Sequence, residues 1–319
     1  MLEKMYNRCY NSVWKFKLYG INRMFNRVLL LILLVTAMLS AVPREVTILF
    51  SGNNDGKYRD CGCPYENLGG LAERKTLIDS LRSITDNLLL FDTGDILNPF
   101  LKQDDRDDMV AEIYPLLGYD AVCVGDQELI AGTFFYQEKL AKKLPMVSCN
   151  LTFKDSTLNP APYRIFEVKN GLKVGVTGLN YFSGFVPLVS NKNIGKDEVM
   201  VDKAADMLKK TLAKMKDKCD VVILLAHLNQ EGIAKILDHT DGYQVLIGGH
   251  NNPEYIYPRL VKDKIHLQPG YNGDALGKLT LTIDNGKVVS HTYRQEKVLS
   301  DLYEKNEQVN EIIKKRGYR

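Results

Sequence analysis

No low-complexity tract, internal repeat or Pro/Ser-rich linker interrupts the 319 residues. That excludes a repeat array and domains strung on flexible tethers, and leaves one large domain as the simplest reading. Cysteine is sparse and follows no zinc-knuckle or disulfide-framework spacing. Cys123, Cys149 and Cys219 sit in or beside apolar runs, where a free cysteine acts as a small hydrophobe, and Cys9 belongs to the N-terminal segment. The apolar run Val28–Leu39 is shorter than the roughly 20 residues a spanning helix needs. The formal net charge of +3 is not a property of the whole chain, because residues 1–41 hold six basic groups and one acid. The remainder carries 36 basic and 38 acidic groups, which gives no support for a nucleic-acid partner.

The N-terminal segment reads as an address. Arg23 and Arg27 precede the apolar run, and the small residues Ser40 and Ala41 follow it, in the order of a secretory signal. Read from Met24, the segment is a compact signal peptide, so the gene start is expected there. Leu39 fits poorly at the third position before cleavage after Ala41, which keeps an uncleaved N-terminal anchor as the alternative. Either way the body, residues 42–299 with a helical tail over 300–319, is expected in an extracytoplasmic compartment. Contact with a membrane is expected only through the uncleaved segment.

Along that body, short apolar runs pass directly into polar, Gly-rich turns. Val46–Phe50 enters SGNNDG, Leu88–Phe91 enters DTGD, Ala121–Val124 enters GDQE, Val221–Leu225 enters AHLNQ, and Val245–Ile247 enters GGHNN. Such runs are too short for helices and too apolar for half-exposed strands, so they predict buried strands. Between them, Leu71, Ile78, Leu81 and Ile84 mark a helix face within residues 69–86. Met109, Ile113, Leu116 and Leu117 mark another within 105–118, and Ala205, Leu208, Leu212 and Met215 a third within 202–217. Strand alternating with helix predicts an α/β domain. Leu279–Ile283, Asp284-Asn285-Gly286 and Lys287–Val289 predict a hairpin, and residues 300–316 an exposed terminal helix.

In open α/β sheets, function collects where loops leave the carboxyl ends of strands. Five strands deliver ligand-type residues there: Asn53 and Asp55, Asp95, Asp126, His227, then His250 and Asn252. Mixed Asp, Asn and His donors suit a divalent ion such as Mn, Mg, Fe or Zn. One carboxylate can bridge two such ions, which together clamp an in-line displacement at phosphorus. One ion is expected, with room for a second.

This ordered set resembles the 5′-nucleotidase branch of the calcineurin-like metallophosphoesterases. ILFSGNNDG resembles its opening motif, LLLFDTGD its second, and LLGYDAVCVGDQE its Gly-Asn-His-Glu motif. ILLAHLNQEG, IGGHNN and GYNGDALGKLTLTID resemble the later ones, so the match covers residues 45–295. The resemblance implies a two-sheet β-sandwich flanked by helices in α/β/β/α layers, with a metal site on one rim. It implies that Asp95, Asp126, His227 and His250 make one metal position, and that Asp95 bridges to a second holding Asn53, Asp55 and Asn252. Those three stand where Asp, His and His are usual. At the catalytic histidine's position stands Gln127, which donates hydrogen bonds but cannot protonate a leaving group. The acidic partner expected three residues later is Ile130.

Cys61-Gly62-Cys63-Pro64 follows the first motif directly. Two thiols at that spacing can hold a soft ion, take part in thiol redox chemistry, or simply pair or pack in a tight loop. Arg74, just inside the next helix, can reach a substrate phosphate or stand exposed. The expected function is that of an exported metal-dependent hydrolase acting on a small phosphorylated or oxyanionic ester. Two alternatives remain: a binding protein on a catalytically degenerate copy of the fold, and a sulfur-group hydrolase like the related thiosulfohydrolases. Full-length 5′-nucleotidases add a C-terminal nucleoside-binding domain, which the resemblance does not reach, so no nucleotide specificity is implied.

Overall fold

The structure, a computed structural model, describes residues 43–100, 102–250 and 253–318. The signal or anchor expected over residues 1–41 lies outside the described residues, and so does Asn252. Among the described residues, no helix is long and apolar enough to cross a membrane. Residues from Arg44 onward form one compact unit.

Each apolar run becomes a strand. In chain order these are β1 (Arg44–Ser51), β2 (Leu88–Asp92), β3 (Ala121–Cys123), β4 (Met146–Val147) and β5 (Leu151–Phe153). Next come β6 (Arg164–Glu167), β7 (Lys173–Asn180), β8 (Val199–Val201), β9 (Val221–His227) and β10 (Val245–Gly248). The last four are β11 (Arg259–Val261), β12 (Lys264–Leu267), β13 (Ala275–Asp284) and β14 (Lys287–Lys297). One six-stranded sheet has the order β14-β13-β1-β2-β3-β4 and the other β11-β12-β10-β9-β7-β6, while β5 and β8 form a small ribbon. Within the first sheet β1 to β4 run parallel, and within the second β7, β9, β10 and β12 do.

Strand alternation sorts the side chains into layers. Val46, Ile48 and Phe50 of β1 pack with Ile223 and Leu225 of β9 between the two sheets. Leu49 and Leu90 face outward onto helices Leu71–Ile84, Asp105–Leu117 and Glu307–Lys315. Val222, Leu224 and Ala226 face helices Ala204–Met215 and Gln230–His239. This is the expected sandwich with helices on both outer faces. Both strand faces are covered, which is why these runs read as continuously apolar.

Three helix details differ from expectation. Ile84 is 75% exposed at the helix end, and Leu77 takes its place on the buried face. Ala205 is exposed as well, and its neighbours Ala204 and Met207 make the contact with the core in that turn. The terminal helix is docked, not exposed: Val309 and Ile313, one turn apart, enter the first sheet's outer core. The Asn306 N–H donates to the Ala72 carbonyl at 3.1 Å and ties that helix to Leu71–Ile84. In the hairpin, Asn285 and Gly286 both adopt positive φ, 48° and 71°, as a two-residue turn matching strand twist requires.

Candidate metal centre

The parallel strands of each sheet bring their carboxyl ends to a common rim. Asp95 follows β2, Asp126 follows β3, His227 is the last residue of β9, and His250 follows β10. Their ligand atoms all lie within 4.8 Å of one another. His227 Nε2 lies 3.1 Å from Asp126 Oδ1 and 3.4 Å from Asp95 Oδ1. His250 Nδ1 lies 3.3 Å from Asp126 Oδ1 and 3.6 Å from Asp95 Oδ2.

The surrounding chain fixes which nitrogen faces the cluster. His227 Nδ1 donates to the Thr93 carbonyl at 2.9 Å, which leaves the Nε2 lone pair for a cation. His250 Nε2 bonds the Tyr181 hydroxyl, so its Nδ1 is turned inward. Glu128, fully buried, accepts the N–H groups of Ile96 at 2.6 Å and Asp95 at 3.3 Å, and so clamps the loop that carries Asp95. Glycines permit the close approach of these loops. A Cβ on Gly125 would meet the Asp95 backbone nitrogen at 2.6 Å, and one on Gly94 would meet the Gly125 nitrogen at 2.8 Å. Asn53, Asp55, Asp95 and His250 all take positive φ, between 51° and 62°. Left-handed backbone at four non-glycine residues of one rim costs on the order of 4 kcal/mol, a pattern concentrated at functional sites.

Charge in the cluster is balanced internally. Burial works against protonation of His227, but the carboxylates of Asp95 and Asp126 push it up to about 10. Burial likewise opposes ionisation of Asp126, yet the two imidazoles hold its carboxyl well below the usual range. Burial, with Asp95 nearby, lifts Glu128 to about 8. Two carboxylates and two imidazoles with inward lone pairs fit a divalent cation by donor type. Among the described residues, both amide atoms of Asn53 are buried without a hydrogen-bond partner, as expected of groups awaiting a ligand.

The second expected position is less complete. Asn53 is buried at the rim, but Asp55 stands outside the four-residue cluster and accepts a hydrogen bond from Gln127 Nε2 at 3.0 Å. Burial, together with repulsion from Asp95, raises the Asp55 carboxyl to about 6. Gln127 thus spends its donor on Asp55, while its Oε1 has no partner among the described residues. Ile130 is part of the apolar core.

Arg74 is neither exposed nor presented to a ligand. It is 1% exposed and donates to Asn54 Oδ1 at 2.5 Å, with the Tyr114 and Tyr119 hydroxyls at 3.4 and 3.5 Å. Asn54 Nδ2 in turn donates to the carbonyls of Ile96 and Lys57. Beside it, Asp92 accepts from Ser51 Oγ at 2.6 Å and Tyr114 at 3.3 Å. Arg74 therefore braces from below the loop that carries Asn53 and Asp55. The disulfide between Cys61 and Cys63 lies on an exposed loop beyond it. Sequence reasoning missed Tyr181, which precedes helix Phe182–Ser190 and belongs to no quoted motif. It also passed over Glu128, whose signal was the last letter of GDQE.

A snake venom 5′-nucleotidase of Naja atra is 31% identical over 284 residues, covering 77% of this chain and 52% of that protein. The 5′-nucleotidase precursor of Thermus thermophilus superposes with a TM-score of 0.72 at 20% identity, covering 86% of this chain and 58% of that one. The calcineurin-like phosphoesterase YfkN of Bacillus subtilis gives a TM-score of 0.64 at 22% identity, covering 86% and 97%. The chain spans about half the length of the curated relatives it matches. No family model matches it. Layered sandwich and rim cluster together define a metallophosphatase-type domain. The chain belongs to the calcineurin-like metallophosphoesterase superfamily, with a metallophosphatase domain of the 5′-nucleotidase type.

Two outcomes follow. Arg74→Met should lower unfolding stability by about 3 kcal/mol in denaturant titrations, because it strands buried polar partners and Asp92. Metal uptake must displace the proton that His227 holds up to about pH 10, so affinity falls as pH falls. Calorimetry between about pH 6 and 8 should show roughly one proton or more released per ion, with a tenfold loss of affinity per unit of pH.

Proposed function

We propose that this domain is an exported metal-dependent hydrolase of small phosphate esters. The observation that carries the reading is the convergence of Asp95, Asp126, His227 and His250 on one rim, each from a different strand. When bound, a divalent ion supplies Lewis-acid polarisation of a phosphoryl group and acidification of water. Mn, Zn, Fe and Mg all accept this donor set.

The chain's own groups then divide the remaining work. Asp95 and Asp126 offer carboxylate oxygens, and His227 and His250 neutral nitrogens, held in place by Thr93 and Tyr181. Asn53 presents an unpartnered amide toward the same rim and can bond an equatorial phosphoryl oxygen or offer its carbonyl to a second ion. Gln127 orients Asp55 and carries no proton for a leaving group. Turnover is therefore expected to be slower than in an otherwise similar site with a histidine there, and to favour esters with good leaving groups. Export rests on the charged, apolar and small-residue order of residues 23–41. The cytoplasm is the less suitable home for an accessible disulfide such as Cys61–Cys63.

A screen of the purified protein with p-nitrophenyl phosphate and bis-p-nitrophenyl phosphate in Mn²⁺ tests this. Hydrolysis should be lost in Asp95→Ala and raised about 10- to 100-fold in Gln127→His. Metal retention with no turnover in either form would replace the hydrolase with a binding protein.

A further inference from the structure

The loop between β1 and helix Leu71–Ile84 carries a feature that the metal centre does not use. Cys61 and Cys63 are bonded to each other across a single glycine, and residues 61–66 are all exposed. The stabilisation a disulfide gives grows with the length of chain it closes. A link spanning one intervening residue therefore restrains the unfolded chain least, and it ties no two elements together. Structural cysteines of this protein look different: Cys123 and Cys149 are buried in apolar surroundings that push their thiols up.

The two sulfurs are not equivalent. Cys61 Sγ is met most closely by the backbone N–H of Cys63 at 3.3 Å and that of Leu68 at 3.5 Å, with the Glu66 carbonyl oxygen at 3.6 Å and Asn67 Oδ1 at 3.8 Å farther off. The Cys61 N–H is pinned to the Leu68 carbonyl at 2.8 Å, and Gly62 N–H to Asn67 Oδ1 at 2.8 Å. Negative charge appearing on Cys61 would meet two fixed donors, so Cys61 is the better leaving sulfur and Cys63 the better target.

Cys61 and Gly62 also line a cleft of about 690 Å³, together with Lys57, Arg59, Arg106 and Lys305. Arg106 is paired with Asp104, and Lys305 faces Glu73 at 3.7 Å. Lys57 and Arg59 form no salt bridge among the described residues. The lining also holds two carboxylates, Asp60, which accepts from the Gly62 N–H, and Asp274, so its four cations outnumber its acids by two. Two such cations beside an accessible disulfide favour the approach of a negatively charged thiol.

We propose that Cys61–Cys63 is a thiol–disulfide exchange site for anionic thiols, with Cys63 as the attacked sulfur and the adjoining cleft, lined by Cys61 and Gly62 and not by Cys63, as the source of the positive charge that draws the donor in. A thiolate attacks Cys63 Sγ, a mixed disulfide forms, and the Cys61–Cys63 bond breaks with its electron pair passing to Cys61 Sγ. A second thiolate attacks the donor's sulfur in the mixed disulfide and releases Cys63. The two donor thiols are oxidised to one disulfide, and Cys61 and Cys63 take up the two protons. This is independent of the hydrolase reading, because no metal ligand takes part.

The test follows reduction of the full chain by glutathione, which is net negative, and by dithiothreitol, which is neutral, with differential alkylation and mass spectrometry. Glutathione should reduce Cys61–Cys63, and glutathione disulfide should restore it. Lys57→Glu with Arg59→Glu should slow the glutathione reaction about fivefold at low salt and the dithiothreitol reaction by less, because the attacking thiolate of dithiothreitol carries one negative charge and that of glutathione two. Persistence of the dithiothreitol reaction also reports an intact loop. High salt should slow the glutathione reaction of the unaltered protein in the same way. Resistance of the disulfide to millimolar glutathione would overturn the exchange site. A glutathione rate indifferent to both charge reversal and salt would overturn the cleft's part in drawing the donor in.

Discussion

Two carboxylates and two imidazoles gathered within 4.8 Å, with His227 and Asp95 buried, are the constraint on which the rest of the rim depends. Such a cluster is costly without compensating charge, since burial penalises every ionised member. Without a metal, protonation supplies the compensation: His227 holds its proton to about pH 10 while Asp126 stays ionised. A divalent cation supplies it better, because it satisfies all four groups at once and takes up the inward lone pairs. The unpartnered amide of Asn53 is the same imbalance seen as hydrogen bonds not made.

Holding that arrangement requires support from distant parts of the chain. Glu128 clamps the Asp95 loop, Thr93 and Tyr181 orient the two imidazoles, and Arg74 with Asn54 braces the loop of Asn53 and Asp55. The strained φ values at four rim residues are tolerated because the two sheets beneath are covered on both faces and cannot relax toward the site. Stability of the sandwich and geometry of the rim are thus one problem. Arg74 illustrates it by combining a fully buried charge with a role in placing a loop.

Much of this was legible in the sequence because strand burial and ligand placement share one signal, an apolar run ending abruptly in a polar turn. Leu88–Phe91 followed by DTGD, and Val221–Leu225 followed by AHL, announce both the strand and its functional end. Arg74 was not legible, because a charged residue at a helix start looks solvent-facing until Tyr114 of a second helix and Tyr119 just past its end are known to close over it. Tyr181 was hidden for a related reason: it approaches His250 across 69 residues, and no local pattern encodes that contact. The terminal helix looked exposed because only Val309 and Ile313 are deeply buried in a short, highly charged segment. The sequence left open whether Cys61 and Cys63 pair, hold an ion or pack, and in the structure they pair.

The central claim is that the rim holds a divalent cation through two imidazoles and two carboxylates. X-ray absorption spectroscopy of the protein loaded with one equivalent of Zn²⁺ tests it most directly. The account predicts a shell of nitrogen and oxygen at about 2.0–2.2 Å with imidazole scattering from two histidines, reduced to that of one in His227→Ala. A shell dominated by sulfur at about 2.3 Å, or no ordered shell, would contradict it.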